Sequence, residues 1–366
     1  MELFRAVFAS VADPREANAY HDLTEMLFIA LASSLAGGRG CVDMEEFGLA
    51  KEPLLREFLR LEHGIPSHDT FSRVFRLLDP VAFEQAFGRF MQAFGAAARV
   101  PLPRGVVAID GKSLKGAYDK GQAHMPRMLV SAWGAATRMV LASCEAPQGN
   151  EVAGALELLK MLSLKGCVVT ADALHCHRAM AGAIRQAGGD YALTLKANQP
   201  ALLADAQAAL VAAGRRARQA TSSESERGRE ERRQILVAPA TDLAAKHDFP
   251  GVAAVARLDA WRTFEGKTSH RVKYVLLSKL MPAAQVLATV REHWSIENQL
   301  HWPLDVTFQE DLARNRKDNG PRNLAVIRRL AMNVLSAYPD KASGRIKQKK
   351  AGWDDTYLLN LLTHMR

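Results

Sequence analysis

Cysteine is scarce and scattered in this 366-residue chain. Cys41, Cys144, Cys167 and Cys176 stand far apart with no CxxC pair. That excludes a zinc ribbon and a disulfide framework, and suits a reducing cytoplasm. The triplet His175-Cys176-His177 does not compensate, because adjacent residues of an extended chain point to opposite sides. Long hydrophobic runs are lacking too. The longest, Met26 to Ala36, is roughly half the ~20 residues a membrane helix needs, so no membrane partner is expected. Met1-Glu2-Leu3-Phe4-Arg5 lacks a basic region leading into an apolar run and a cleavage site, so no secretory signal is expected either. Acidic residues are outnumbered, 39 against 48 Lys and Arg, for a net charge of +9. An excess of cations favours polyanions such as nucleic acid, although it specifies no fold.

What is present is globular. Hydrophobic residues make up 48% and charged residues 24%, unlike a disordered chain, and the length suits two structural units. Residues 1–97 read as helical. Asp22 with Glu25 three positions on forms a capping box before Leu23, Met26, Leu27, Ala30 and Leu31. Gly37, Gly38 and Gly40 end that helix. A second helix is predicted from Pro53 to Glu62, and Ser67 caps a third that carries Phe71, Val74, Phe75 and Leu78. Two short helices around a tight turn suit a DNA-binding helix-turn-helix; a small helical bundle packing on its neighbour fits the pattern better. Pro101 and Pro103 mark a linker.

Beyond the linker the character changes. Gly105 to Ile109 is a short apolar strand running into Asp110. Met128 to Trp133 and Met139 to Cys144 are two more strands, and a helix follows from Glu151 to Leu162. The strand Cys167 to Ala171 runs into a second acid, Asp172. A helix from Arg178 to Gln186 and a strand from Tyr191 to Leu195 complete a ribonuclease H-like α/β core, in which Asp110 and Asp172 end neighbouring strands at one edge. After a helix from Ala201 to Ala213, an Arg- and Glu-rich stretch reads as a mobile hairpin or loop. Strands at Gln234 to Val237, Val252 to Trp261 and His270 to Ser278 make 201–282 a largely β insertion. A helix from Ala283 to Trp302 is expected to break near Pro303, whose ring removes a backbone hydrogen bond. Between Glu310 and Lys350 eleven Lys or Arg face four acids, with Arg314, Arg316 and Lys317 first.

Phosphodiester chemistry explains why these acids matter together. Two divalent ions about 3.5–4 Å apart can serve the attacking and the leaving oxygen, and hard ions such as Mg2+ prefer carboxylates. Asp at two strand ends supplies short, fixed ligands. Glu297 on a helix supplies a longer reach, with His301 four residues on sharing its face. Trp294 and Trp302 suit either the core or stacking on an unpaired base.

The segments Gly64 to Phe71, Ala108 to Lys112, Thr170 to Ala173, Leu195 to Gln199, and His293-Trp294-Ser295-Ile296-Glu297-Asn298 through Leu304-Asp305-Val306 resemble, in order, those of bacterial insertion-sequence transposases of the DDE type. The branch is the one that includes the H-repeat-associated proteins. The resemblance implies a small all-α N-terminal domain at 1–97, with a role in binding DNA ends. It implies a ribonuclease H-like catalytic domain at 98–340 and a basic C-terminal tail and helix at 341–366. It further implies metal-dependent cleavage at the element's ends and strand transfer of the 3′-hydroxyl. The ligands would be Asp110, bridging two Mg2+ ions (Mn2+ as substitute), with Asp172 and Glu297 each completing one. The partners would be double-stranded DNA, as terminal repeats and as target, bound by a homodimer in the bacterial nucleoid. Lys112, Lys196, Arg291, His293, His301, Arg314, Arg316 and Lys317 are the expected DNA contacts. Three departures stand out: Val290, His293 and Leu304 occupy positions where relatives carry Tyr, Arg and Lys. Arg227 replaces a His before Gly228, and Pro303 an aliphatic residue. They keep two other readings open: a non-catalytic DNA-binding relic or repressor, and a nuclease that cuts without joining.

Overall fold

The computed structural model describes residues 2–15, 19–97, 105–118, 126–226 and 228–365. The linker expected at Pro101 and Pro103 lies outside the described residues, as does Arg227. Helices come first: α1 (Glu2–Phe8), α2 (Leu23–Leu35), α3 (Cys41–Ala50), α4 (Glu52–Leu55), α5 (His68–Leu77) and α6 (Pro80–Ala97). Strands β1 (Gly105–Tyr118), β2 (Pro126–Gly134) and β3 (Met139–Glu145) lead to α7 (Glu151–Lys160), β4 (Cys167–Ala171), α8 (Arg178–Gln186) and β5 (Asp190–Leu195). Then come α9 (Pro200–Ala213), β6 (Arg218–Glu226), β7 (Arg229–Pro239), α10 (Asp242–Lys246), β8 (Ala254–Phe264) and β9 (Lys267–Leu277). The last helices are α11 (Ala283–His293), α12 (Trp302–Val306), α13 (Gly320–Ala337), α14 (Gly344–Trp353) and α15 (Asp355–Thr363). No helix of the described residues is long and apolar enough to cross a membrane.

The chain forms two units, one from Met1–Leu102, Gly111–Gly154 and Glu297–Arg366, the other from Pro103–Asp110 and Ala155–Ile296. In the first, α2 is apolar nearly all round and buried along almost its whole length, the mark of a core helix. It packs against α13, whose residues are also mostly buried. The N-terminal helices therefore share a core with the C-terminal ones. Asn333 of α13 fixes β3 by accepting from Val140 N at 2.9 Å and donating to Val140 O at 2.8 Å. The capping box is half made. Asp22 accepts from Glu25 N at 2.9 Å, but the Glu25 carboxylate takes the N–H groups of Arg60 and Leu61 instead. This accounts for a correction: the helix expected from Pro53 to Glu62 is only α4. Arg56 donates to the Arg60 carbonyl at 3.0 Å, so side chains satisfy the backbone that a longer helix would have paired, and Leu61 turns to φ 48°.

The second unit holds a mixed sheet of order β1-β4-β5-β9-β8-β7-β6, and in the first unit β3 and β2 continue from β1. The order β3-β2-β1 meeting β1-β4-β5 is that of a ribonuclease H-like fold. β1, β4 and β5 are parallel neighbours, while β5 to β6 run through antiparallel pairs. The Arg- and Glu-rich stretch is not a loop: it is the β6–β7 hairpin, in register from Arg218↔Val237 to Glu226↔Arg229. One face of this sheet carries Ile235, Val237, Ala256, Leu258 and Val275, which bury Val286, Leu287 and Val290 of α11.

Candidate active site

Register brings the two aspartates to one place. β1 and β4 pair from Gly105↔Cys167 to Ala108↔Thr170, and two residues past that last pair stand Asp110 and Asp172. Parallel strands in register keep equal offsets level, so both carboxylates project from the same edge. Asp110 is not at a strand end, however, because β1 runs on to Tyr118. What ends there is its pairing with β4. Asp172 caps the turn Ala173–His175, its Oδ1 accepting from Leu174 N at 2.9 Å. Both acids are half-buried.

Neighbouring elements fix this edge. Thr170 Oγ1 lies 3.1 Å from Nδ1 of His293, the last residue of α11. Burial, reinforced by Lys273 and His175, pushes the His293 imidazole down to about 4. The ring is buried and ties the end of α11 to β4. The segment Lys196 to Gln199 is tied to the turn after Asp172. Asn198 Nδ2 donates to the Ala173 carbonyl at 2.8 Å and Gln199 Nε2 to that of Cys176 at 3.3 Å. Lys196 is exposed on that tie. Arg291 pairs with Glu224 of β6. His177 caps α8 through its Nδ1.

In the other unit, α-helical geometry gives way to a π-turn at Glu297–His301, and α12 resumes at Trp302 with Pro303 in its first turn. The irregularity thus begins upstream of the break expected at Pro303. Pro303 lacks the N–H that an α-helix needs there, and π-turns concentrate at functional sites. Glu297 is half-exposed, with Oε2 3.3 Å from His301 Nδ1. His301 itself is 6% exposed, and burial lowers its pKa against the opposing pull of Glu297.

Behind His301 lies a charge network that the sequence reading missed. Lys112 is buried, with Nζ 2.7 Å from Asp305, 3.0 Å from Asp311 and 3.8 Å from Glu310. Fully buried Glu310 takes Arg329 at 3.0 Å and Arg328 at 3.8 Å. Burial alone would raise the Glu310 carboxyl, but Arg329, Arg328 and Lys112 hold it below the usual range. Lys112, expected as an exposed contact, is therefore buried among carboxylates. Much of the basic run is likewise internal: Arg322 pairs with Glu84 at 2.6 Å, and Lys347 donates to the carbonyls of Leu335 and Tyr338. Arg314, Arg316 and Lys317 are exposed, with no ion pair among the described residues. Val290 and Leu304, at two of the departures from the resembling family, are buried core. Trp294 and Trp302 are 54% and 60% exposed.

Residues 101–334 match the Transposase DDE domain, and residues 5–91 match the DDE_Tnp_1-associated region. The chain belongs to the DDE transposases. Within them it groups with the H-repeat family. It is 30% identical over 353 residues to the H repeat-associated putative transposase YhhI of Escherichia coli K12, covering 93% of this chain and 92% of that one. It is 38% identical over 271 residues to an uncharacterized protein from the dhlA 3′ region of Xanthobacter autotrophicus, covering 72% of this chain and 90% of that one. Among solved structures, a piggyBac transposase synaptic complex with hairpin DNA aligns at TM-score 0.43 and 12% identity over 98% of this chain and 77% of that one, too distant to add to the assignment.

Proposed function

We propose that this DDE transposase cuts DNA at the ends of a mobile element and joins the freed ends to target DNA, using Asp110, Asp172 and Glu297. The observation that carries the reading is the β1–β4 register, which sets Asp110 and Asp172 level at one edge. The donor set fits hard divalent cations: carboxylate oxygens only, with Asp172 using one oxygen for its cap and keeping the other. Glu297 is the third ligand by family resemblance, and its exposed carboxylate is steadied by His301. Bound Mg2+ or Mn2+, two ions per site, would activate water and stabilise the leaving oxygen.

The reaction balances without redox chemistry. A water oxygen attacks the scissile phosphorus, the P–O3′ bond breaks, and the departing oxygen takes a proton to become a 3′-hydroxyl. That hydroxyl then attacks a target phosphorus in the same way, releasing a target 3′-hydroxyl. The protein's own part is orientation: α11 and the Asn198–Gln199 tie hold the Asp172 edge, and the Lys112–Glu310–Arg329 network holds the backbone near Asp110 and Glu297. The exposed Arg314, Arg316 and Lys317 offer contacts to DNA phosphates, and a homodimer assembled on DNA is the active species.

The test uses purified full-length chain, a plasmid carrying the element's flanking genomic ends, and Mg2+. Wild type is expected to cleave and to join precleaved ends, whereas Asp110→Ala binds the same DNA without cutting. Cleavage retained by Asp110→Ala sinks the assignment, and cleavage without joining by the wild type reduces it to a nuclease.

A further inference from the structure

Beyond the acids, the same edge of the second unit carries a pair of lysines with no carboxylate at ion-pair distance among the described residues. The β5–β9 register ends at Leu195↔Tyr274, and one step further Lys196 and Lys273 face each other across the two strands. The side chain of Lys273 rises beside α11, its Nζ 5.3 Å from the centroid of the Trp294 ring. Neither ammonium has an ion pair among the described residues. Burial lowers the Lys273 pKa, and Lys196 lowers it further, with Asp172 opposing. The backbone of Lys196 is held beside this site, since Asn198 and Gln199 anchor its segment to the turn that follows Asp172.

Two neighbouring like charges, one kept against an aromatic face, repel each other, and an anion between them offsets that repulsion. Asp172 cannot serve as that anion if its free oxygen holds a metal. Flexible single lysines elsewhere on the surface escape such repulsion by moving into water, whereas Lys273 is confined by β8, β9 and Trp294. We propose that Lys196 and Lys273, with Trp294 as the wall, form a binding site for one backbone phosphate of the DNA strand next to the phosphate held by the acids. The site positions the strand and takes no part in bond breaking. It rests on the transposase reading above for the identity of that strand.

The test measures how binding of the full-length chain to a fluorescein-labelled linear duplex depends on salt, with Ca2+ replacing Mg2+ so that nothing is cut. Each phosphate contact adds about 0.9 to the slope of log K against log salt on duplex DNA. The double variant K196Q/K273Q is expected to lower that slope by about 0.9, the value for one shared phosphate, with an unchanged melting temperature. Lys273→Arg is expected to keep the wild-type slope. A folded double variant with an unchanged slope overturns the site, as does tight capture of inorganic phosphate that leaves DNA binding untouched. If the double variant fails to fold, Lys196→Gln, on an exposed segment, carries the same comparison. Wild type that binds with the Lys-dependent slope but never cleaves in Mg2+ leaves this site standing and removes the catalytic reading. Wild type that cleaves while folded K196Q/K273Q keeps the wild-type slope removes this site alone. No binding of DNA by the wild type removes both.

Discussion

His293 Nδ1 sits 3.1 Å from Thr170 Oγ1, joining the last residue of α11 to β4 two positions before Asp172. The contact lets a helix on one face of the sheet hold the strand that delivers a candidate metal ligand. Burial favours the neutral imidazole there, whichever of the two groups donates.

Acid should therefore weaken the fold through this residue. The folded-state pKa of His293 is depressed to about 4 from an ordinary 6.5, so between those values the unfolded chain binds the extra proton and stability falls as pH drops. Above pH 6.5 the effect vanishes. Relative to His293→Gln, which keeps an amide partner for Thr170 and cannot titrate, the wild type should lose about 2 kcal/mol more between pH 7 and pH 4.5. Urea unfolding at the two pH values measures the difference, and equal losses in both proteins would show that His293 is not the group responsible.

Asp172 has two duties that substitution can separate. As a cap it needs only an oxygen acceptor for Leu174 N, and Asn caps as well as Asp. Asp172→Asn should fold with an unchanged melting temperature while removing one ligand charge. Several kcal/mol of transition-state stabilisation lost corresponds to cleavage slowed by roughly 10³ or more. Asp172→Ala should show the same loss of rate and an additional drop of about 1 kcal/mol in stability. Plasmid cleavage and thermal melting distinguish the two duties.

The parts of this fold set by local pattern could be read from the sequence. β4, β5, α8 and the start of α11 follow from apolar periodicity and from turn residues, and parallel pairing then made Asp110 and Asp172 neighbours. Partners distant in sequence could not be read. Lys112 looked like a free cation because Asp305, Glu310 and Asp311, which neutralise it, lie some two hundred positions away. The β6–β7 hairpin could not be told from a loop because its exposed half carries charge on both faces, and alternation marks a strand only where one face is buried. Lys273 went unmarked for a similar reason, since its apolar setting is built by Trp294 and not by its own strand.

Glu310 is the residue whose loss should damage the first unit most. It is fully buried and answers Arg329, Arg328 and Lys112 at once. Glu310→Ala would leave the Arg329 guanidinium buried without its counter-charge, and breaking a buried pair in this way costs about 3–5 kcal/mol. Glu310→Ala combined with Arg329→Met should recover part of that loss, because an apolar pair of similar volume is tolerated far better than a lone charge. Chemical denaturation of the single and double variants tests this; a double variant less stable than Glu310→Ala would refute the pairing.

Lys112 and Lys273 are both partly desolvated lysines near candidate ligands, yet their surroundings predict opposite behaviour. Lys112 lies between three carboxylates and is 7% exposed, so it has no charge to offer a phosphate. Lys112→Met should leave the salt dependence of DNA binding at the wild-type slope while lowering stability by about 3 kcal/mol, the loss expected when one member of a buried ionic cluster goes. Cleavage should fall as well, since Lys112 follows Asp110 by two positions on β1 and anchors the strand there. A shallower salt slope for Lys112→Met with an unchanged melting temperature would mean that the ammonium leaves its carboxylates to meet DNA, and would restore the direct contact that the buried network argues against.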